Sequence, residues 1–156
     1  MTKLVCILCG ILVGALVACG SVHTAKPLYQ GSAASSGEIV GTVNRNDLVI
    51  AYYKSRANAA HLKALVIAHS AAQARGDMAL ARLIERQGEA DQELAHRQLA
   101  GQAPLDNITA ALKDSLPQVA KDAGVCRIVE NTAKLPSGTP TKDVTAEVLR
   151  LLPPAR

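Results

Sequence analysis

From Asp47 to Arg75 the chain contains neither glycine nor proline. Leu48, Tyr52, Leu62, Leu65, Val66 and Ala72 recur there at helical spacing, which predicts one helix over about 47–75. Gly76 stops it, and Asp77 caps a second helix over about 78–99, with Leu80, Leu83, Ile84, Ala90 and Leu94 on its apolar side. A two-residue turn forces the two helices antiparallel, giving a hairpin over about 47–100 with arms about 35–45 Å long. Leu62, Leu65, Leu83 and Leu94 are the residues expected to pack the arm. The distal parts carry few large apolar residues, so the hairpin has little core of its own and is expected to project from a body.

Composition agrees with close-packed helices. Trp and Phe are absent and only three Tyr occur, so the core must be built from Ala, Leu, Val and Ile. The formal charge of +4 is mild and its signs are interspersed, which argues against a nucleic-acid footprint.

The flanks of the hairpin supply the body. Glu38-Ile39-Val40-Gly41-Thr42-Val43 reads as a strand, with Asn44 or Asn46 as helix cap and Asp47 in the first turn. After Gly101 and Pro104, a stripe of Leu105, Ile108, Ala111, Leu112 and Leu116 predicts another helix, capped by Asp106 or Asn107 and bent at Pro117. Gly124 ends it, and Val125–Glu130 reads as the next strand. A poor strand near Thr132–Leu135, a loop through Pro140 and a last helix opened by Asp143 or Thr145 and running through Leu152 complete the order. The fold class is α+β, mostly α: a body of 2–4 short strands with a projecting antiparallel two-helix coiled-coil arm.

The N-terminus has its own pattern. Lys3 precedes an apolar run from Leu4 to Val17, about 14 residues against about 20 needed to span a bilayer. Leu16-Val17-Ala18-Cys19 resembles the bacterial lipobox. The resemblance implies a signal peptide over 1–18, cleavage after Ala18 and a lipidated Cys19. Two or more acyl chains, at about 0.8 kcal/mol per buried methylene, anchor stably. Residues 19–37 are then lipid attachment and flexible tether, rich in Gly and Ser, and 38–156 are the domain. Gly20 and Ser21, with no Asp after the cysteine, favour the outer membrane over the inner. A thioether at Cys19 leaves Cys126 without an internal disulfide partner, and its apolar run predicts a buried thiol.

Three segments together resemble the OmpH/Skp family of periplasmic chaperones. They are Ile39-Val40-Gly41-Thr42-Val43-Asn44 with Leu48, then Leu116–Val129 with its Pro117 and Gly124, then Lys142-Asp143-Val144-Thr145-Ala146-Glu147-Val148-Leu149-Arg150-Leu151. The resemblance covers about residues 38–152, with the arms matched in pattern only. It implies a homotrimer whose bodies share a small barrel, here through Ile39, Val43, Ile128 and Val129. It also implies arms that enclose unfolded outer-membrane proteins without ATP. The arms here are shorter and less basic than the family's, and the chain is tethered.

Catalytic and metal signals are weak. His61 and His69 lie too far apart for paired zinc ligands on one helix, with His96 on the other arm. Arg75-Gly76-Asp77 reads as a helix corner, and Asn107-Ile108-Thr109 as a helix start. Glu85, Glu89, Asp91 and Glu93 alternate with Arg82, Arg86 and Arg97 as a solvated face. No convergent polar set for catalysis, no cofactor motif and no nucleic-acid partner is expected. The expected function is a lipid-anchored, ATP-independent holdase for unfolded envelope proteins on the periplasmic face of the outer membrane. The alternative is a structural envelope scaffold without chaperone activity.

Overall fold

The computed structural model describes residues 26–31 and 39–155. The leader over 1–18, Cys19 and the rest of the expected tether lie outside the described residues. The fold is mixed α+β and mostly helical. Four short strands, β1 (Tyr29–Gln30), β2 (Val40–Val43), β3 (Arg127–Glu130) and β4 (Thr141–Asp143), form one sheet in the order β1-β3-β2-β4. Pairs β2–β3 and β2–β4 are parallel, and β1–β3 is antiparallel. Between β2 and β3 come α1 (Arg45–Tyr53), α2 (Arg56–Ala74), α3 (Met78–Leu99), α4 (Asp106–Leu112) and α5 (Leu116–Ala123); α6 (Thr145–Leu149) follows β4.

Strand pleating sorts the side chains. Val43 and Ile128 face a core that α1, α4, α5 and α6 cover with Leu48, Ile108, Leu112, Leu116 and Val148. Each such aliphatic, fully buried, contributes about 1.5–3 kcal/mol. The fold therefore rests on one helix-covered face of the sheet, and the long β2-to-β3 excursion carries the hairpin. Asn44 caps α1 by accepting from the amides of Asn46 and Asp47. Gly76 takes φ +73°, and Asp77 accepts from the Leu80 amide at 3.0 Å, so the α2–α3 turn forms where the sequence places it.

Several expectations need correction. The flexible tether assigned to 19–37 includes a strand: Leu28 is buried, β1 pairs with β3, and the Gly31 amide donates to the Cys126 carbonyl at 3.0 Å. The open edge of β3 and one apolar anchor draw this segment onto the sheet. Cys126, expected buried, is only half-buried at that same edge.

The first arm helix is not continuous. It breaks at Lys54–Ser55, where Ser55 caps α2 by accepting from the Asn58 amide. The freed backbone groups are taken up by the C-terminal segment: the Arg56 amide donates to the Pro153 carbonyl, and the Ala155 amide to the Lys54 carbonyl, both at 2.9 Å. Ser55, a favoured cap residue, is the one local signal of this break within 47–75; its other partners lie about a hundred residues away in the chain.

Pro117 does not kink a continuous helix. It sits in the first turn of α5, where its missing amide costs nothing, and α4 ends before it. Neither Asp106 nor Asn107 caps α4. The strand after β3 lies at Thr141–Asp143 rather than near Thr132–Leu135; all three residues are exposed and polar, so no alternation marks it. The last helix ends at Leu149, although Leu152 is still buried.

Candidate functional site

The seam of the hairpin mixes a few aliphatics with small and polar residues. On α2, Asn58 and Ala72 are buried and Leu65 and His69 half-buried. On α3, Ala81 and Gln98 are buried, and Ile84, Gly88, Asp91, Leu94 and Ala95 are half-buried. Alanine and glycine let the backbones approach, and histidine–carboxylate contacts cross the pair: His61 Nε2 to Asp91 at 2.8 Å and His69 Nε2 to Glu85 at 3.0 Å. Such partly exposed pairs contribute little, about 0–1 kcal/mol each.

Most of the other large aliphatics of the hairpin point elsewhere. Val66 is 65% exposed and Ile67 59%, and Leu62, Met78, Leu83 and Leu99 are exposed as well. The usual order of an amphipathic pair, large apolar groups inside and polar groups outside, is partly inverted. Of the residues expected to pack the arm, Leu65 and Leu94 lie along the seam. Leu62 and Leu83 do not: both are exposed.

A buried polar cluster fixes the root of the hairpin. Arg45 Nε donates to the Gln98 carbonyl at 3.0 Å, Nη2 to the Ala103 carbonyl at 2.5 Å, and Nη1 to Glu130 at the end of β3. The fully buried Gln98 side chain donates to the Pro104 carbonyl at 2.7 Å and to Asn107 at 2.6 Å, and accepts from the Tyr53 hydroxyl at 2.9 Å. Burial, the dominant cause, pushes the Tyr53 phenol above its ordinary value, and the Asn107 hydrogen bond opposes it. The cluster ties α1, α3, α4 and β3 together, so the arm emerges at a set angle. Sequence reasoning missed Arg45, Gln98 and Glu130. Each looks like an ordinary surface residue, and only its place at the end of a strand hinted at Glu130.

The residues expected in an oligomer body divide. Val43, Ile128 and Val129 are covered within the single chain, by the helices or by the loop after β3. Ile39 is exposed. A cavity of about 620 Å³ lies beside Arg45, Glu130, Leu28 and Thr132, but its charges are matched: Arg45 pairs with Glu130 and Lys26 with Asp106. Among the described residues no helix is long and apolar enough to cross a membrane, and no group of three His, Cys, Asp or Glu could hold a metal. Arg75-Gly76-Asp77 forms the helix corner. Compared with family models, with curated proteins and with solved structures, the chain matches none of them.

Proposed function

We propose that this chain is a lipid-anchored, ATP-independent holdase of the cell envelope, built on the plan of the OmpH/Skp chaperones. One observation carries the reading. The hairpin leaves Leu62, Val66, Ile67, Met78 and Leu83 exposed, while Leu65, Ile84 and Leu94 share the seam with small and polar residues. A scaffold arm gains nothing from exposed aliphatics, which favour aggregation. An arm that grips unfolded polypeptide needs them, interspersed with charge so that each contact is weak and reversible.

In this account Cys19 carries the lipid, and a short tether leads to Lys26, where the chain joins the sheet. The cluster around Arg45 and Gln98 holds the arm against the body. Copies assemble as a homotrimer through the open sheet edges of the body, since Val43, Ile128 and Val129 are already used inside each chain. The paired helices act as a short coiled coil that borders a small client space on the periplasmic side of the outer membrane.

Sedimentation equilibrium of the chain from residue 19, carrying Cys19→Ser, with and without a urea-unfolded outer-membrane β-barrel protein, tests the reading. A trimer that takes up one client chain is expected. A monomer that leaves the client to aggregate supports the scaffold reading instead.

A further inference from the structure

The outer face of the sheet, opposite the core, carries a separate feature. Pleating places Arg127 and Val129 of β3 there, with Ile128 turned inward. The segment at Lys26–Gln30 and the loop at Ala133–Pro136 border these residues and enclose a cavity of about 380 Å³. Its charged lining among the described residues is Lys26, Arg127 and Lys134, with no carboxylate.

Arg127 is the telling member. Among the described residues its buried Nε has no acceptor, and the guanidinium makes no hydrogen bond or ion pair. Buried N–H groups on a charged side chain are costly to leave unmet, so such groups are normally paired. Lys134 also has no partner among the described residues, and Lys26 is held only by an exposed pair with Asp106 at 3.1 Å.

We propose that this cavity is an oxyanion site that takes a phosphate group. The Nε–Nη edge of a guanidinium donates two parallel hydrogen bonds to such a group. Two flanking ammonium groups call for more acceptor oxygens and more negative charge than a single carboxylate offers. A phosphate on a lipid headgroup and free phosphate share this chemistry. The site shares no residue with α2 or α3, so it stands independently of the holdase reading.

The test uses the full chain in neutral detergent micelles. Phosphorus NMR follows titration with inorganic phosphate, and separately with phosphatidylglycerol added to the micelles, against phosphatidylcholine as control. Saturable binding of inorganic phosphate, weakened at least about tenfold in Arg127→Gln and several-fold in Lys134→Gln, establishes a site for free phosphate. Binding seen only with phosphatidylglycerol, with the same dependence on both residues, establishes a headgroup site. Absence of saturable binding to either, or binding indifferent to both substitutions, overturns the proposal. Lys134 is solvent-exposed, so its variant keeps the test valid if Arg127→Gln fails to fold.

Discussion

Arg45, in the first turn of α1, forms a buried ion pair with Glu130, the last residue of β3 and 85 positions further along the chain. The pair closes the long excursion that carries the hairpin, and Arg45 spends its other donors on carbonyls from the end of α3 and the loop after it. Removing one member leaves the other charged and buried. Arg45→Met or Glu130→Gln should cost about 3–5 kcal/mol, while the Arg45→Met, Glu130→Leu double variant should cost less than the sum. Urea denaturation of the three variants checks this.

The C-terminal residues act as a clasp on the α1–α2 break. Truncation after Leu152 removes the acceptor for the Arg56 amide and the donor for the Lys54 carbonyl. Amide hydrogen exchange at Arg56 should rise at least about tenfold, the exchange of the mid-α3 amides remaining unchanged. Equal protection at Arg56 in the truncated chain would show that the break is set locally by Ser55.

Acid and alkali should act at two different places. The Thr145 hydroxyl, and then the Thr145 amide, hold the Asp143 carboxyl below its ordinary value of 3.8. That contribution is complete above about pH 4 and is lost as pH falls through the lower folded value. Thr145→Val should therefore narrow the stability difference between pH 6 and pH 2. Tyr53 behaves oppositely. Its phenol is raised above 10.0, so the unfolded chain loses the proton first and stability declines as pH rises beyond that value. Tyr53→Phe should lessen this alkaline decline, although it also leaves Gln98 short of a hydrogen bond.

Gly41 lies mid-strand on the core face of β2. A Cβ there would sit 3.1 Å from the Val125 side chain, 3.2 Å from that of Val144 and 3.3 Å from the Arg127 carbonyl. Gly41→Ala should destabilise by about 1–3 kcal/mol through overpacking, despite the better strand propensity of alanine. The thermal midpoint reads the effect directly.

What the sequence shows and what it hides follow from the range of the causes. Asn44, Gly76, Asp77 and Gly124 act on neighbours within a few residues, so the start of α1, the hairpin turn and the end of α5 are legible. The second arm, Met78–Leu99, carries both its caps locally and falls where expected. The break at Lys54–Ser55, the strand at Tyr29–Gln30 and the strand at Thr141–Asp143 depend on partners far along the chain. None has a periodic signature of its own. The same holds for the candidate site. Helical spacing identifies Leu62 and Leu83 as apolar, but only the folded pair shows that they stay exposed while Leu65 and Leu94 enter the seam.

The central claim is that these exposed aliphatics hold unfolded protein. It is tested most directly by light scattering of a urea-unfolded outer-membrane β-barrel protein diluted into buffer, with the chain or with its Leu62→Gln, Val66→Gln, Leu83→Gln variant. Substitutions at exposed positions should each change stability by no more than about 0.5 kcal/mol, so the variant should remain folded. The account predicts that the unsubstituted chain suppresses aggregation and that the folded variant loses most of that effect. Suppression by the variant equal to that of the unsubstituted chain, or none by either, would contradict it.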